Sequence, residues 1–329
     1  MSGPRLTVAI PFHRGLAYLR EAIESVRAQT TGEWRLLVSD DRGDPDPGAA
    51  EALVASFGDA RIAYARNDAN LGMVPNWNRC LDRADTEFVT LLHADDRLLP
   101  DYAASMLDLA GRFPDAVACF SEYETIDASG AARASFSDAA KSLFRPRGAG
   151  PMVLRGEPAL RAVAAGNFIP CPALCFRRSV LGSRRFDPRW RQVQDLELTA
   201  RLLLGGETLV GSREPGYVYR RHPATATERQ SESLLRFEEE LALLAELSRA
   251  ARARGWHGAA RTAARAWTPR LHLAWRALRD AARGRPGAAA AKLRFLARGT
   301  RPAEPPSRRR QVPYAPAPWP TSKRSGSRW

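Results

Sequence analysis

The sequence predicts an α/β fold with a mostly parallel central sheet flanked by helices. Three observations predict it. Short apolar runs of strand length alternate with segments of helical period through the first 120 residues. The runs at 34–38 and 88–92 each lead into adjacent carboxylates, at Asp40-Asp41 and at Asp95-Asp96. Turn formers, among them Pro11 and the triplet Asn70-Leu71-Gly72, stand between the runs. Such alternation implies right-handed crossovers and a parallel sheet, and ligands of these sheets bind outside the carboxyl ends of the strands.

Taken in order, residues 6–10 read as a buried strand closed by Pro11. Residues 16–29 carry apolar side chains at 16, 19, 23 and 26, one face of a helix. A second strand covers 34–38 and ends at Ser39-Asp40-Asp41. A helix at 47–57 and a short strand at 62–64 follow. Beyond the Asn70 turn, residues 74–84 read as a helix, 88–92 as a strand, 102–112 as a helix and 117–120 as a strand. From about 125 to 165 Gly, Ala, Arg and Ser dominate, and the segment reads as a loop or lid. Residues 171–176 read as a strand. Residues 195–204 read as a helix with Leu196, Ala200 and Leu203 inward, stopped by Gly205-Gly206. A Leu/Glu-rich helix spans 231–250. Ala/Arg-rich helices spanning 259–299 are broken at Pro269 and at 284–287. From residue 301 the chain is Pro-, Ser- and Arg-rich with almost no aliphatic side chains, a disordered composition. The expected organisation is therefore an α/β domain over 1–225, a helical extension over 226–300 that is basic from about 249, and a disordered tail over 301–329.

Composition sets the class. Of 329 residues, 44% are hydrophobic and 26% charged, as in a soluble globular protein. No run approaches the roughly 20 apolar residues of a membrane span, and no signal peptide opens the chain, so the cytoplasm is the expected location. Four cysteines are too sparse for a disulfide framework, and Cys171 and Cys175 read as small buried side chains more readily than as zinc ligands. The net charge of +14 is uneven. Residues 249–329 hold 20 Lys and Arg against 2 acidic residues, whereas residues 1–248 hold 30 against 34. The basic character belongs to the C-terminal quarter and not to the α/β region.

The segment Leu91-Leu92-His93-Ala94-Asp95-Asp96 carries the strongest chemical signal. Two carboxylates at the end of a buried strand repel each other and lose hydration. A bound Mg2+ or Mn2+ removes that penalty, and such ions take one or two carboxylates together with substrate phosphates. On these residues alone, a helix cap before Pro100-Asp101 explains the carboxylates equally well.

Seven stretches resemble, in order, the motifs of family 2 glycosyltransferases, GT-A-fold enzymes that use nucleotide-sugar donors. They are Val8-Ala9-Ile10-Pro11-Phe12-His13-Arg14, the helix at 19–30, Leu37-Val38-Ser39-Asp40-Asp41, Asn70-Leu71-Gly72 with Asn78, Leu92-His93-Ala94-Asp95-Asp96, the acidic segment Gln194-Asp195 through Arg201, and Tyr219-Arg220-Arg221-His222. They cover about the first 225 residues. Many members carry an aspartate where His93 stands.

The resemblance implies roles for these residues. Asp41 would accept a hydrogen bond from the imide N–H of a nucleobase, with Asp40 beside it and one of the pair turned into the structure. Pro11 would lie against the base, and Arg14 and Asn70 would approach the donor. Asp96, supported by Asp95, would hold Mg2+ or Mn2+ against the diphosphate, and His93 would be a ligand, a phosphate contact or simply a polar residue lining the cleft. Asp195 would be the general base of an inverting transfer to a glycan or lipid-linked glycan hydroxyl, ahead of Glu197. Arg220, Arg221 and His222 would place positive charge near the diphosphate. Residues 167–172 would form part of the acceptor wall.

A nucleotidyltransferase would share the metal logic but needs a glycine-rich phosphate loop, and only Gly15 follows the first strand. A non-catalytic glycan- or nucleic-acid-binding protein on a degenerate fold is the alternative from another class. Trp256, Trp267 and Trp275 among the C-terminal arginines suggest peripheral contact with an anionic membrane through residues 249–329. No RNA- or DNA-binding signature accompanies the charge.

Overall fold

The computed structural model describes residues 3–133, 143–221 and 234–298. The expected disordered tail and His222 lie outside these residues. Four strands, β1 (Leu6–Phe12), β2 (Trp34–Asp40), β3 (Ile62–Arg66) and β4 (Phe88–Leu91), form a parallel block ordered β3-β2-β1-β4. Helices α1 (Leu16–Arg27), α2 (Ala49–Ala55) and α3 (Met73–Arg83) make the crossovers. Side chains alternate between two cores, as a period of two requires. Val8, Ile10 and Phe12 join the core under α1, α2 and α4 (Tyr102–Arg112), whereas Ala9, Leu37 and Leu91 join the one on the opposite face.

Past β4 the sheet continues through β8 (Leu174–Arg177), β6 (Ala116–Ile126), β9 (Thr208–Arg220) and the two-residue β5 (Arg97–Leu98), with β7 (Met152–Leu154) also on β9. Strands β1, β2, β3, β4, β6 and β9 point one way, and β5, β7 and β8 the other. The remaining helices are α5 (Gly156–Gly166), the single turn α6 (Arg178–Leu181), α7 (Gln194–Leu204), α8 (Leu235–Ala253), α9 (His257–Arg265), α10 (Trp267–Ala282) and α11 (Pro286–Arg298). Leu241, Leu244 and Leu247 of α8 and Ala259, Ala260 and Ala263 of α9 are buried in the same core as Leu160 and Val163 of α5 and Leu196 of α7. None of the described helices is long and apolar enough to cross a membrane.

Several elements differ from the sequence expectation. Pro11 does not close β1, which runs on to Phe12 beside β2. Pairing with β4 stops at Ala9, so the nitrogen of Pro11 faces a side where no ladder bond is required. The segment expected as a loop or lid over 125–165 contains β7 and α5. Alanine and glycine fill much of α5, so Leu160 and Val163 are its only large apolar anchors. The helix break comes at Ala266, in the left-handed region at φ 46°, and not at Pro269. Proline is tolerated in the first turn of α10, where its missing N–H has no partner to lose.

Candidate functional site

The C-terminal ends of β1, β2 and β4 bring the donor-side candidates to one edge of the sheet. Asp40 and Asp41 are both buried, at 2% and 3% exposure, but they face different ways. Asp40 turns toward β3, accepting from the Tyr64 hydroxyl at 2.5 Å and the Arg42 N–H at 2.8 Å, with Arg66 3.4 Å away. Burial and this carboxylate push the Tyr64 hydroxyl pKa upward. Asp41 instead gathers the asparagine turn. Its Oδ1 accepts from the Leu71 N–H and the Asn67 amide at 2.8 and 2.9 Å, and its Oδ2 from the Gly72 N–H at 2.8 Å. Asn67 and Asn76 extend this network to Ser39 and Arg83.

Pro11 is partly exposed beside Ser39, and Arg14 is exposed on the turn that follows β1. Asn70 is exposed and 3.5 Å from the His13 ring. His13 was not singled out by sequence, yet its ring lies flush on Gly43, where an added Cβ would sit 1.9 Å from Nδ1. Only a glycine at 43 admits that contact.

After β4 the chain turns through His93, Asp95 and Asp96, whose ligand atoms lie within 4.8 Å of one another. Helix α4 begins later, with Asp101 at its N-cap position, so neither carboxylate caps it. Asp96 is 1% exposed. Its Oδ1 accepts the Arg220 N–H at 2.7 Å and its Oδ2 accepts the Tyr217 hydroxyl. Burial first, and then the charge of Asp95, hold the Asp96 carboxyl well above the usual carboxylate range. Burial lowers the His93 pKa, opposed by Asp95. The His93 ring lies 4.9 Å from Trp77, and its buried Nε2 has no hydrogen-bond partner among the described residues.

These features fit a divalent cation. Each oxygen of Asp96 retains a second lone pair, Nδ1 of His93 lies 3.6 Å from Oδ2 of Asp96, and a positive ion would relieve the repulsion between the carboxylates. Oxygen donors with one imidazole suit Mn2+, and Mg2+ if His93 stays out of its shell.

Arg220 does not project into the cleft as a free cation. It is 1% exposed and donates to the Asp95 carbonyl at 2.9 Å, to the Ala128 carbonyl and to Glu21 of α1, with its guanidinium over the Tyr18 ring. Arg221 stacks on Tyr219 at 5.3 Å.

Asp195 stands in the first turn of α7, partly buried, and accepts from the Asn167 amide at 3.4 Å. Asn167 ends α5 in the left-handed region at φ 34°. Burial, and then the charge of Asp195, push the Cys171 thiol pKa up. Glu197 is 7% exposed and paired with Arg201 at 2.6 Å, whereas Asp195 on the same turn is partly buried and accepts from Asn167. Asn78 exchanges two hydrogen bonds of 2.9 Å with the backbone of Phe186, and Phe186 packs edge-on against Trp77. Helix α3 thereby joins the His93 turn to the segment leading into α7. Sequence reasoning missed Tyr217, Trp77 and the action of Asn167 on Asp195, because these pairings are set by tertiary register and leave no local pattern.

Residues 7–155 match the family described as glycosyl transferase family 2. The GalNAc(5)-diNAcBac-PP-undecaprenol beta-1,3-glucosyltransferase of Campylobacter jejuni is 33% identical over 111 residues, 32% of this chain and 35% of that protein. The chain spans about a third or less of the length of the curated relatives it matches. Two solved structures share the fold. TarS of S. aureus in complex with UDP-GlcNAc superposes with a TM-score of 0.58 at 14% identity, covering 75% of this chain and 66% of that one. The mannosyltransferase PcManGT of Pyrobaculum calidifontis, in complex with GDP-Man and Mn2+, gives 0.57 at 16% identity, covering 90% and 80%.

Proposed function

We propose that this chain, which carries a family 2 glycosyltransferase domain of the GT-A fold, moves a sugar with inversion from a nucleoside diphosphate sugar to a hydroxyl of a glycan or lipid-linked glycan. The observation that carries the reading is the cluster of His93, Asp95 and the buried Asp96 at the carboxyl end of β4, on the same sheet edge as Asp41. Asp41, Asn70 and the turn after Pro11 would seat the nucleoside, with Arg14 and Arg221 near the phosphates. His93, Asp95 and Asp96 would hold Mg2+ or Mn2+. When bound, the ion supplies Lewis-acid neutralisation of the charge that develops on the departing diphosphate.

Asp195 would take the proton of the acceptor hydroxyl as its oxygen attacks the anomeric carbon from the face opposite the diphosphate. The bond from that carbon to the diphosphate oxygen breaks, and the nucleoside diphosphate leaves with the electron pair. Asn167 would hold the base in place, and residues 167–172 would border the acceptor. The same reading keeps the basic C-terminal quarter against an anionic membrane, where lipid-linked acceptors reside. The UDP-GlcNAc and GDP-Man bound in the two solved structures support a nucleotide-sugar donor, and the undecaprenol-linked glycan in the name of the C. jejuni relative supports a lipid-linked acceptor.

The test is binding and slow hydrolysis across a panel of nucleotide sugars, with and without Mn2+, for the wild type, Asp96→Ala and Asp195→Asn. The expected result is metal-dependent donor binding that Asp96→Ala loses, with Asp195→Asn binding donor but turning it over ~10²- to 10⁴-fold more slowly. No binding of any donor by the wild type would overturn the reading.

A further inference from the structure

Helix α10 has two apolar faces. Pro269, Leu273 and Ala277 are buried on one. Trp267, Leu271, Trp275 and Leu278 form the other and are 62, 62, 47 and 69% exposed. At about 100° per residue, this spacing confines them to a stripe roughly 80° wide, on the side of the helix away from the buried face. Monomeric proteins rarely leave such a contiguous apolar strip in water.

Charge indicates what covers it. Arg270 and Arg279 border the stripe on opposite sides, and the Arg279 guanidinium lies 5.3 Å over the Trp275 ring. Residues 249–298 contain 13 Lys and Arg and one acidic residue, Asp280. Asp280 is already paired with Lys292 and Arg285 at 2.7 and 2.8 Å. A second copy docked through this face would bring arginine borders together. A nucleic acid would answer the arginines but would leave Leu271 and Leu278 uncovered. An anionic bilayer answers both, taking tryptophan and leucine into the headgroup boundary while its phosphates meet the arginines.

We infer that α10 seats this chain on an anionic lipid surface through Trp267, Leu271, Trp275 and Leu278. Thr268, next to the first of these, donates its hydroxyl to the carbonyl of Ala165 near the end of α5. Asn167, at the end of the same helix, donates to Asp195. The docking helix is thus linked to the candidate base by a short chain of contacts, and seating it would hold Asp195 at a fixed height above the headgroups. The inference rests on the membrane contact in the proposed function and names the surface that makes it.

The test is flotation of the full chain with vesicles of phosphatidylcholine alone and with about 30% phosphatidylglycerol, in low and high salt. The variants are Trp267→Ser/Leu271→Ser/Trp275→Ser/Leu278→Ser and Arg270→Gln/Arg279→Gln. The wild type should float with the anionic vesicles only. The first variant should bind at least ~tenfold more weakly with an unchanged thermal midpoint, and the second should lose part of the salt sensitivity. Equal flotation of the wild type and the first variant would overturn the inference. So would a wild-type dimer in sedimentation velocity that the first variant converts to monomer. Vesicle binding is read without turnover, so a chain that floats as expected but hydrolyses no donor would sink the sugar-transfer reading alone.

Discussion

Tyr217 donates its hydroxyl to Oδ2 of Asp96, 121 residues earlier in the chain, and so ties strand β9 to the turn after β4. The tyrosine is fully buried and stacked on Tyr219, so the phenol cannot turn to another partner. Tyr217→Phe keeps the ring and removes one donor from a buried carboxylate. The expected loss is about 1–3 kcal/mol of stability, with a weaker response to Mn2+. Thermal melts with and without the ion check it, and an unchanged midpoint in both would refute the importance of the link.

Asp96 itself should connect metal to stability. A ligand that binds only the folded chain stabilises it by about 2.7 kcal/mol at a hundred times its dissociation constant. Mn2+ should therefore raise the thermal midpoint of the wild type, and chelation should reverse the rise. Asp96→Ala should abolish the response while leaving the fold intact. A midpoint indifferent to Mn2+ in the wild type would exclude a metal site at His93, Asp95 and Asp96.

Asn167 acts on Asp195 from a strained position. Its backbone is left-handed, which asparagine tolerates better than most residues, and its amide reaches the carboxylate at 3.4 Å. Asn167→Ala should lower kcat by about tenfold, equivalent to about 1.4 kcal/mol of lost positioning, with little change in the KM for donor. Asn167→Asp would place a second negative charge beside the base and shift the acid-side rise of the rate to higher pH. Equal effects on kcat and donor KM would indicate a general loosening of the α5 end.

What could be read in the sequence, and what could not, follows one physical divide. The parallel block was legible because β1, β2 and β4 are buried on both faces and appear as continuous apolar runs. The paired aspartates were legible because carboxylates at strand ends stand out. Which member of a pair faces inward was not legible. Asp40 and Asp41 are adjacent and equally buried, and only the position of Tyr64 on β3 and of Leu71 on the turn separates them. Arg220 looked like a phosphate-side cation because its charge is visible and its burial is not. β5 was invisible because a two-residue strand has no period.

Arg220→Met tests that burial. The arginine satisfies the carbonyls of Asp95 and Ala128 and pairs with Glu21. Glu21 is partly exposed, so water can take over its charge, and the main loss is the two carbonyl bonds and the packing on Tyr18. The expected destabilisation is about 2–4 kcal/mol. Donor affinity should fall in step with the disorder of the Asp95 turn. Arg221→Met, by contrast, should leave the midpoint within about 0.5 kcal/mol and affect donor binding alone. Opposite outcomes for the two variants would exchange their roles.

Glu239 of α8 predicts a pH dependence remote from the site. Its Oε2 accepts the backbone N–H groups of Arg191 and Gln192 at 2.9 and 2.8 Å, fixing the segment that leads into α7. Burial raises its pKa above the ordinary glutamate value, and the two N–H bonds oppose the rise without cancelling it. The folded chain therefore holds this proton more tightly than the unfolded chain. Its contribution to stability is fully present below the unfolded pKa and is lost as pH climbs through the higher folded value. In Glu239→Gln the amide oxygen can accept both N–H groups and carries no charge at any pH. The variant's midpoint relative to the wild type should rise across that interval and then level off at higher pH. Melts at pH values from 4 to 8 measure it. A difference that shrinks with rising pH would mean that the ionised carboxylate is the better partner for Arg191 and Gln192.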